Sequence, residues 1–421
     1  MSRSISAAHR VETEVYLEGY TKIGNPDPDY EHEVVIAISK RNVDELKRIV
    51  EDELYEPQHS RYAQWMTLHD VTQLTSNTPG ADAVVEWLQN NAINIHWRCP
   101  SSGYLKAKAT IRSWEQLLLN TFYLWNKPGG SDEEVIMHAT SYTVHPSVAE
   151  HIFHIFHIVD PPPSLHIKGM SRKLSAYGSS VTPAVISKLY RQSTNSGLSH
   201  HKQSVFSTSD EYFSQSDLYA FQKSHGLKLQ QVFSIGNHHL PDNKLCSTPR
   251  TDTGFSCSEG NLDVQYLMGT AQNTETLYHY VDDPNPFVAY ITAVSGQAHP
   301  PTVMSISWGS TEQAMSSYVM KSFCDEALAL AARGVTILVA SGDNGAVGTA
   351  YSTDGTCDRS TCSAASGSAS STAKWPGTNT WTGSGYFPSF PSTCAYVTAA
   401  GGKHPQCSSL CVLVLQSFYG Y

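Results

Sequence analysis

No apolar run in this 421-residue sequence reaches the roughly 20 residues that cross a bilayer, so no membrane helix is expected. Positive charge is scarce: 28 Lys and Arg stand against 38 Asp and Glu, a net charge of −10, which argues against a nucleic-acid binder. The opening stretch MSRSISAAHRVETEV lacks the apolar core of a signal peptide, and the chain has no N-x-Ser/Thr sequon. Cysteine is nearly missing from the first 240 residues, where Cys99 stands alone, and no zinc-type spacing accompanies the later ones.

What is present fits a folded chain of several domains. Hydrophobic residues make up 40% and charged residues 16%, enough for sizeable cores and too little charge for a disordered chain. Length alone implies two domains or more. Cys246, Cys257, Cys324, Cys357, Cys362, Cys394, Cys407 and Cys411 crowd the second half. The close spacings Cys357/Cys362 and Cys407/Cys411 read as loop staples and lean toward an oxidising compartment.

Residues 1–160 alternate short strands and helices. EVVIAIS (33–39) is β-rich, and NVDELKRIVEDEL (42–54) follows at helical spacing with an Asn cap. ADAVVEWLQNN and SWEQLLLN read as helices; AINIHW, YLKAKATI and TFYLW read as strands. The pattern is that of a small α+β, ferredoxin-like domain. HIFHIFHIVD sets His151, His154 and His157 three apart. That suits metal ligation only if one face gathers them, whereas an extended chain points such neighbours to opposite faces. A strand or helix of the small domain is the preferred reading. Residues 161–183 hold three consecutive prolines and a basic Ser/Gly run, the texture of an exposed linker open to proteolysis near Lys173–Ser180.

From residue 184 the texture becomes α/β. SDEYFSQSDLYAFQKSHG reads as a capped helix, and TVMSISWG (302–309) as a buried parallel strand. EQAMSSYVMKSFCDEALALAARG is a long helix closed by Gly334, and VTILVASGDNG is a second buried strand. Together they form one right-handed crossover unit. Chemistry gathers at the carboxyl ends of such strands, where Asp343 stands. In CSEGNLDVQYLMG, Glu259 and Asp263 lie four residues apart on a helix that also carries apolar positions.

SEGNLDVQYLMG, TVMSISWG, AARGVTILVASGDNGA and FPSFPSTCAYVTAAGG occur in the order found in the sedolisins, or serine-carboxyl peptidases. The chain resembles that family, its tripeptidyl-peptidase branch above all, from about residue 30 to 402. YEPQHSRYAQWMTLHDV resembles the branch's propeptide, and VTPAVISKLYRQ the start of its mature enzyme. The resemblance implies a subtilisin-like parallel-sheet domain behind an N-terminal prodomain that chaperones folding and blocks the cleft. It implies Glu259 as base, Asp263 as its supporting acid and Asp343 at the oxyanion hole. It implies Ser307, Trp308 and Gly309 along the substrate cleft. The family's nucleophile segment, S-G-T-S-x-x-x-P, does not occur in the sequence; SGSAS at 366–370 stands out of order and reads as a surface loop. The family's calcium loop is missing too, so calcium is implied by resemblance alone.

The chemistry follows from the acids. Like charges four apart on a helix repel, and a shared proton removes that cost. Glu259 could then take a proton from a serine hydroxyl, as histidine does in the better-known triad. A carboxylate base works in acid, where a histidine base is charged and idle. Protonated Asp343 could donate to the developing oxyanion, worth roughly 3 kcal/mol of barrier. The expectation is an acid-acting serine-type peptidase precursor, releasing tripeptides or cutting internally. Its partners would be peptide or protein substrates and its own prodomain. The residues after Gly402 depart from family texture, which is the expectation of a catalytic domain cut short, inactive alone and prone to aggregate at its open sheet edge. The competing expectation is a non-catalytic chain whose prodomain binds or inhibits a related peptidase. The family implies a secreted or lysosome-like acidic location.

Overall fold

The computed structural model describes residues 9–12, 20–101, 103–126, 135–160, 181–192, 196–198, 200–236, 246, 257–342, 388–401 and 414–416. In the N-terminal part, β1 (His9–Glu12) and β2 (Thr21–Gly24) precede β3 (Glu31–Ile38). Next come α1 (Val43–Ile49), α2 (Leu68–Thr75), α3 (Thr78–Asn90), β4 (Asn94–Arg98), β5 (Tyr104–Thr110) and α4 (Ile111–Leu118). β6 (Phe122–Asn126), β7 (Val135–Ala139), β8 (Ser141–Val144) and β9 (Ile152–Phe156) complete it. The main sheet runs β4-β5-β3-β9, antiparallel throughout. The smaller sheets β2-β6-β7 and β1-β8 flank it.

β3 explains its own composition. Val34, Ile36 and Ile38 join one core with Val84, Leu88, Ile111, Trp114 and Leu118, beneath α3 and α4. Val35 and Ala37 point the other way, into a core shared with the C-terminal part. With both faces covered, the strand reads as an unbroken apolar run. Thr67 and Asp70 form a reciprocal capping box that starts α2. Asn42 departs from its expected role. Its backbone is left-handed (φ 50°) and its side chain makes no cap bond, because the amide donates instead to the Leu74 carbonyl, 2.9 Å away. The helix it opens also changes: after Ile49 the backbone widens into a π-helical turn over Val50–Leu54.

The C-terminal part is α/β. α5 (Pro183–Leu189), β10 (Lys202–Ser207), α6 (Gln215–Ser224) and β11 (Phe233–Ile235) lead to α7 (Ser258–Thr270). β12 (Glu275–Tyr280), α8 (Pro286–Ser295), β13 (Val303–Ile306), β14 (Ser310–Thr311), α9 (Ser317–Ala332) and β15 (Thr336–Ala340) follow. β16 (Ser389–Phe390) pairs with β14; β17 (Thr398–Ala400) and β18 (Val414–Gln416) extend the main sheet. That sheet runs β11-β12-β10-β13-β15-β17-β18 and is parallel except for the last pair. The β13–α9–β15 crossover read from sequence is present, with Gly334 at φ +77° ending the helix's exit. The residues of Cys357/Cys362 and Cys407/Cys411, the linker over 161–180 and SGSAS at 366–370 fall outside the described residues. Among the described residues, two unforeseen disulfides are formed: Cys246–Cys257 and Cys324–Cys394.

The N-terminal sheet lies on α8 and α9. Val35, Ala37, Tyr104 and Phe156 share a core with Phe287, Val288, Phe323 and Leu330. Leu46, Val50, Leu54 and Val71 pack on Leu328, Ala329 and Ala332 of α9. Polar links pin this apolar contact: Lys40 to Glu326 at 2.6 Å, His157 to Asp283 at 2.9 Å, and the Met66 N–H to the Ala332 carbonyl at 2.8 Å. Trp65 covers Gly334 so closely that a Cβ there would meet the indole at 2.7 Å.

Candidate active site

The apolar alternation of β13 decides what reaches α7. Met304, Ile306 and Trp308 belong to the core on the α8 and α9 side. Successive strand residues face opposite sides, so Ser305 and Ser307 face the other layer, where α6 and α7 pack. There Val205, Phe213, Leu218, Val264, Met268, Tyr278 and Tyr280 form a separate core. α7 is anchored to that core by Val264 and Met268, four residues apart, both buried. The same spacing brings Glu259 and Asp263 along one side of the helix toward the end of the sheet.

The start of α7 is built with unusual care. Its N-cap, Cys257, has no side-chain cap bond. Its place is fixed by the disulfide to Cys246 (S–S 2.06 Å). The first free amides are met from another element: Glu211, fully buried after β10, accepts the N–H of Glu259 at 2.8 Å and of Gly260 at 3.1 Å. Gly260 must be glycine, since a Cβ there would stand 2.2 Å from the Tyr212 carbonyl oxygen and 2.7 Å from the Tyr278 hydroxyl. The Tyr278 hydroxyl in turn lies 2.7 Å from Ser207 Oγ and 2.9 Å from the Glu211 carbonyl oxygen.

Asp263 is the focus. Ser307 donates its hydroxyl to Asp263 Oδ1 at 2.7 Å. Burial holds the Asp263 carboxyl well above the usual carboxylate range. The nearby charges of Glu259 and Glu211 push the same way, and the Ser307 bond pulls partly back. Glu259 occupies the first turn, where the helix dipole favours negative charge. The arrangement favours the protonated form of Asp263 beside its neighbouring acids.

The other candidates distribute as follows. The Trp308 side chain is buried in the core at 1% exposure. Gly309 sits against the Phe390 carbonyl, 2.9 Å from where a Cβ would be. Asp343 lies outside the described residues; the strand before it ends at Ala340. The three spaced histidines part company: His154 bonds buried Asp160 and stacks on Tyr318, His157 bonds Asp283, and His151 faces Glu150. Among the described residues, no group of three or more His, Cys, Asp or Glu side chains is placed to hold a metal. Glu211 escaped the sequence reading, although an acid just past a parallel strand's carboxyl end is where that reading looks for chemistry.

Residues 18–160 match the pro-kumamolisin activation domain. Tripeptidyl-peptidase 1 of Homo sapiens is 26% identical over 399 residues, covering 91% of this chain and 63% of the relative. Tripeptidyl-peptidase 1 of Bos taurus is 26% identical over 400 residues with the same coverage. These matches make the chain similar to the sedolisins, and to their tripeptidyl-peptidase-like branch above all. It spans about 63% of the length of these curated relatives. Among solved structures, a Pseudomonas sedolisin (serine-carboxyl proteinase) bound to pseudo-iodotyrostatin aligns at 19% identity and TM-score 0.35, covering 52% of this chain and 53% of that one. Among the described residues no helix is long and apolar enough to cross a membrane.

Proposed function

We propose that the chain is the precursor form of an acid-acting serine-carboxyl peptidase, with α7 as the proton-handling element and the N-terminal domain as its intramolecular inhibitor. The observation that carries this is the Asp263 carboxyl, raised by burial and by Glu259, and tied to the end of the central strand through Ser307. In this reading ionised Glu259 accepts the proton of the attacking serine, protonated Asp263 donates a hydrogen bond to Glu259 and keeps its own proton, and Asp343 serves the oxyanion. The backbone at Ser307–Gly309 lies along the peptide substrate. Tripeptide release and internal cleavage both fit this chemistry, and an acidic compartment suits it.

The nucleophile is the open member of the set. The 421 residues contain no S-G-T-S-x-x-x-P segment, so the reading has this polypeptide hold its acid pair without the matching serine. The test is incubation of the purified chain at pH 4 with a peptide substrate and a serine-directed phosphonate. Neither turnover nor labelling is expected. Labelling that vanishes in Glu259→Gln would refute the missing serine and keep the acid pair. Labelling indifferent to Glu259→Gln would refute both.

A further inference from the structure

Asp263 has two carboxyl oxygens and, in its protonated state, one proton. Which oxygen carries that proton decides where the acid can donate. Around the group stand two carboxylates, Glu259 on the same helix and Glu211 from the turn after β10, and the neutral phenol of Tyr278 on β12. Neither carboxylate can donate when ionised. The hydroxyl of Ser307 is the donor that the sheet supplies, 2.7 Å from Oδ1.

We propose that Ser307 is a positioning residue of the acid pair: its hydroxyl makes Oδ1 of Asp263 the accepting oxygen and reserves Oδ2 for the shared proton. This rests on the acid-pair reading above. The register of the sheet builds the contact. Tyr278 of β12, Val205 of β10 and Ser305 of β13 lie side by side in the paired strands, on the face that packs against α7. Ser307, two residues beyond Ser305, continues that face past the last paired residue, Ile306. Among the described residues no strand neighbour is paired with it, and alternation turns its hydroxyl toward the helix, where it meets Asp263. A carbonyl-type oxygen fixed by one hydrogen bond also fixes the plane of the carboxyl group and hence the direction of its O–H.

A second consequence separates this role from plain packing. A hydroxyl that donates to a carboxyl favours its ionised form, so Ser307 opposes the rise caused by burial and by the two acids. The hydroxyl therefore keeps Asp263 within reach of exchange with Glu259 in place of a permanently protonated group.

The experiment follows the Asp263 carboxyl carbon by carbon-13 NMR across pH in the intact chain, assigned with Asp263→Asn. Ser307→Ala is expected to raise the Asp263 midpoint by about one pH unit, a tenfold change in its acid constant. Ser307→Thr, which keeps the donor, is expected to restore the parent value. Should the alanine variant fail to fold, Ser307→Cys keeps the shape with a weaker donor and is expected to fall between Ser and Ala. Midpoints equal to the parent's in the alanine or cysteine variant overturn the proposal, provided Glu259→Gln still lowers Asp263. If Glu259→Gln leaves Asp263 unmoved, the acid-pair reading itself has failed, whatever Ser307 does.

Discussion

The carboxylate of Glu211 accepts the backbone N–H of Glu259 at 2.8 Å, so one acid caps the helix that presents another. The cap comes from a different element, and it replaces the side-chain cap that Cys257 cannot give. Removing it takes this acceptor from two N–H groups, that of Gly260 buried and that of Glu259 part-buried. Glu211→Ala is expected to cost about 2 kcal/mol of stability, the upper range for a helix cap. Glu211→Gln, which keeps an accepting oxygen, is expected to cost less. Urea unfolding of both variants checks this, and equal losses would show that the buried charge matters more than the cap.

The Cys246–Cys257 disulfide closes a loop with a sequence separation of 11 around the same helix start. Loop-closure entropy gives it about 3 kcal/mol. Cys246→Ser is expected to lower the melting temperature and to raise hydrogen exchange at Glu259 and Gly260 before other parts of α7. Uniform exchange along the helix would contradict the idea that the bridge holds its first turn.

How much of this was legible beforehand differs by scale. The crossover from β13 through α9 to β15 was legible because long apolar strands and an unbroken amphipathic helix carry their period openly. The Glu259/Asp263 pair was legible because both acids lie on one helix. Glu211 was not, since its partners sit 48 and 49 residues away and spacing along a chain says nothing about a contact made across elements. Ser307 was expected along the substrate, and the structure adds a bond from its hydroxyl to Asp263 that strand alternation implies only once α7 is known to cover that face. Asn42 misled because an Asn before a helix can also spend its amide on a carbonyl of a neighbouring helix, here Leu74 of α2.

The N-terminal domain should be held by a pair with a two-sided pH range. Burial presses on both His157 and Asp283, but each partner's charge wins: the imidazole is held above its ordinary value and the carboxyl below its own. The histidine's contribution is full below an unfolded pKa of about 6.5 and is lost as pH rises through the higher folded value. The aspartate's is full above about 3.9 and is lost as pH falls through its lower folded value. Docking through this pair is therefore expected to be strongest in mild acid. Asp283→Asn is expected to cost roughly 3 kcal/mol, because it strands a buried partner. Resistance of the domain contact to limited proteolysis at pH 5 and pH 8 checks the sign, and greater resistance at pH 8 would reverse it.

His279 works in the opposite direction. Burial alone lowers it to about 4. A base with a depressed folded pKa gives its stability above the unfolded value of about 6.5 and loses it as pH falls toward 4. The shift corresponds to something on the order of 3 kcal/mol across that range. His279→Phe is expected to flatten the acid limb of the stability profile between pH 6.5 and 4. An unchanged acid limb, measured by urea unfolding at each pH, would remove His279 from the account.

On the proposed reading, Glu259 and Asp263 share a proton as one coupled unit. It is tested most directly by following both side-chain carboxyl carbons through a pH titration of the intact chain. Two separated steps are expected, with Asp263 titrating well above an ordinary aspartic acid and falling when Glu259 becomes glutamine. Two independent titrations at ordinary values, each blind to substitution of the other residue, would contradict it.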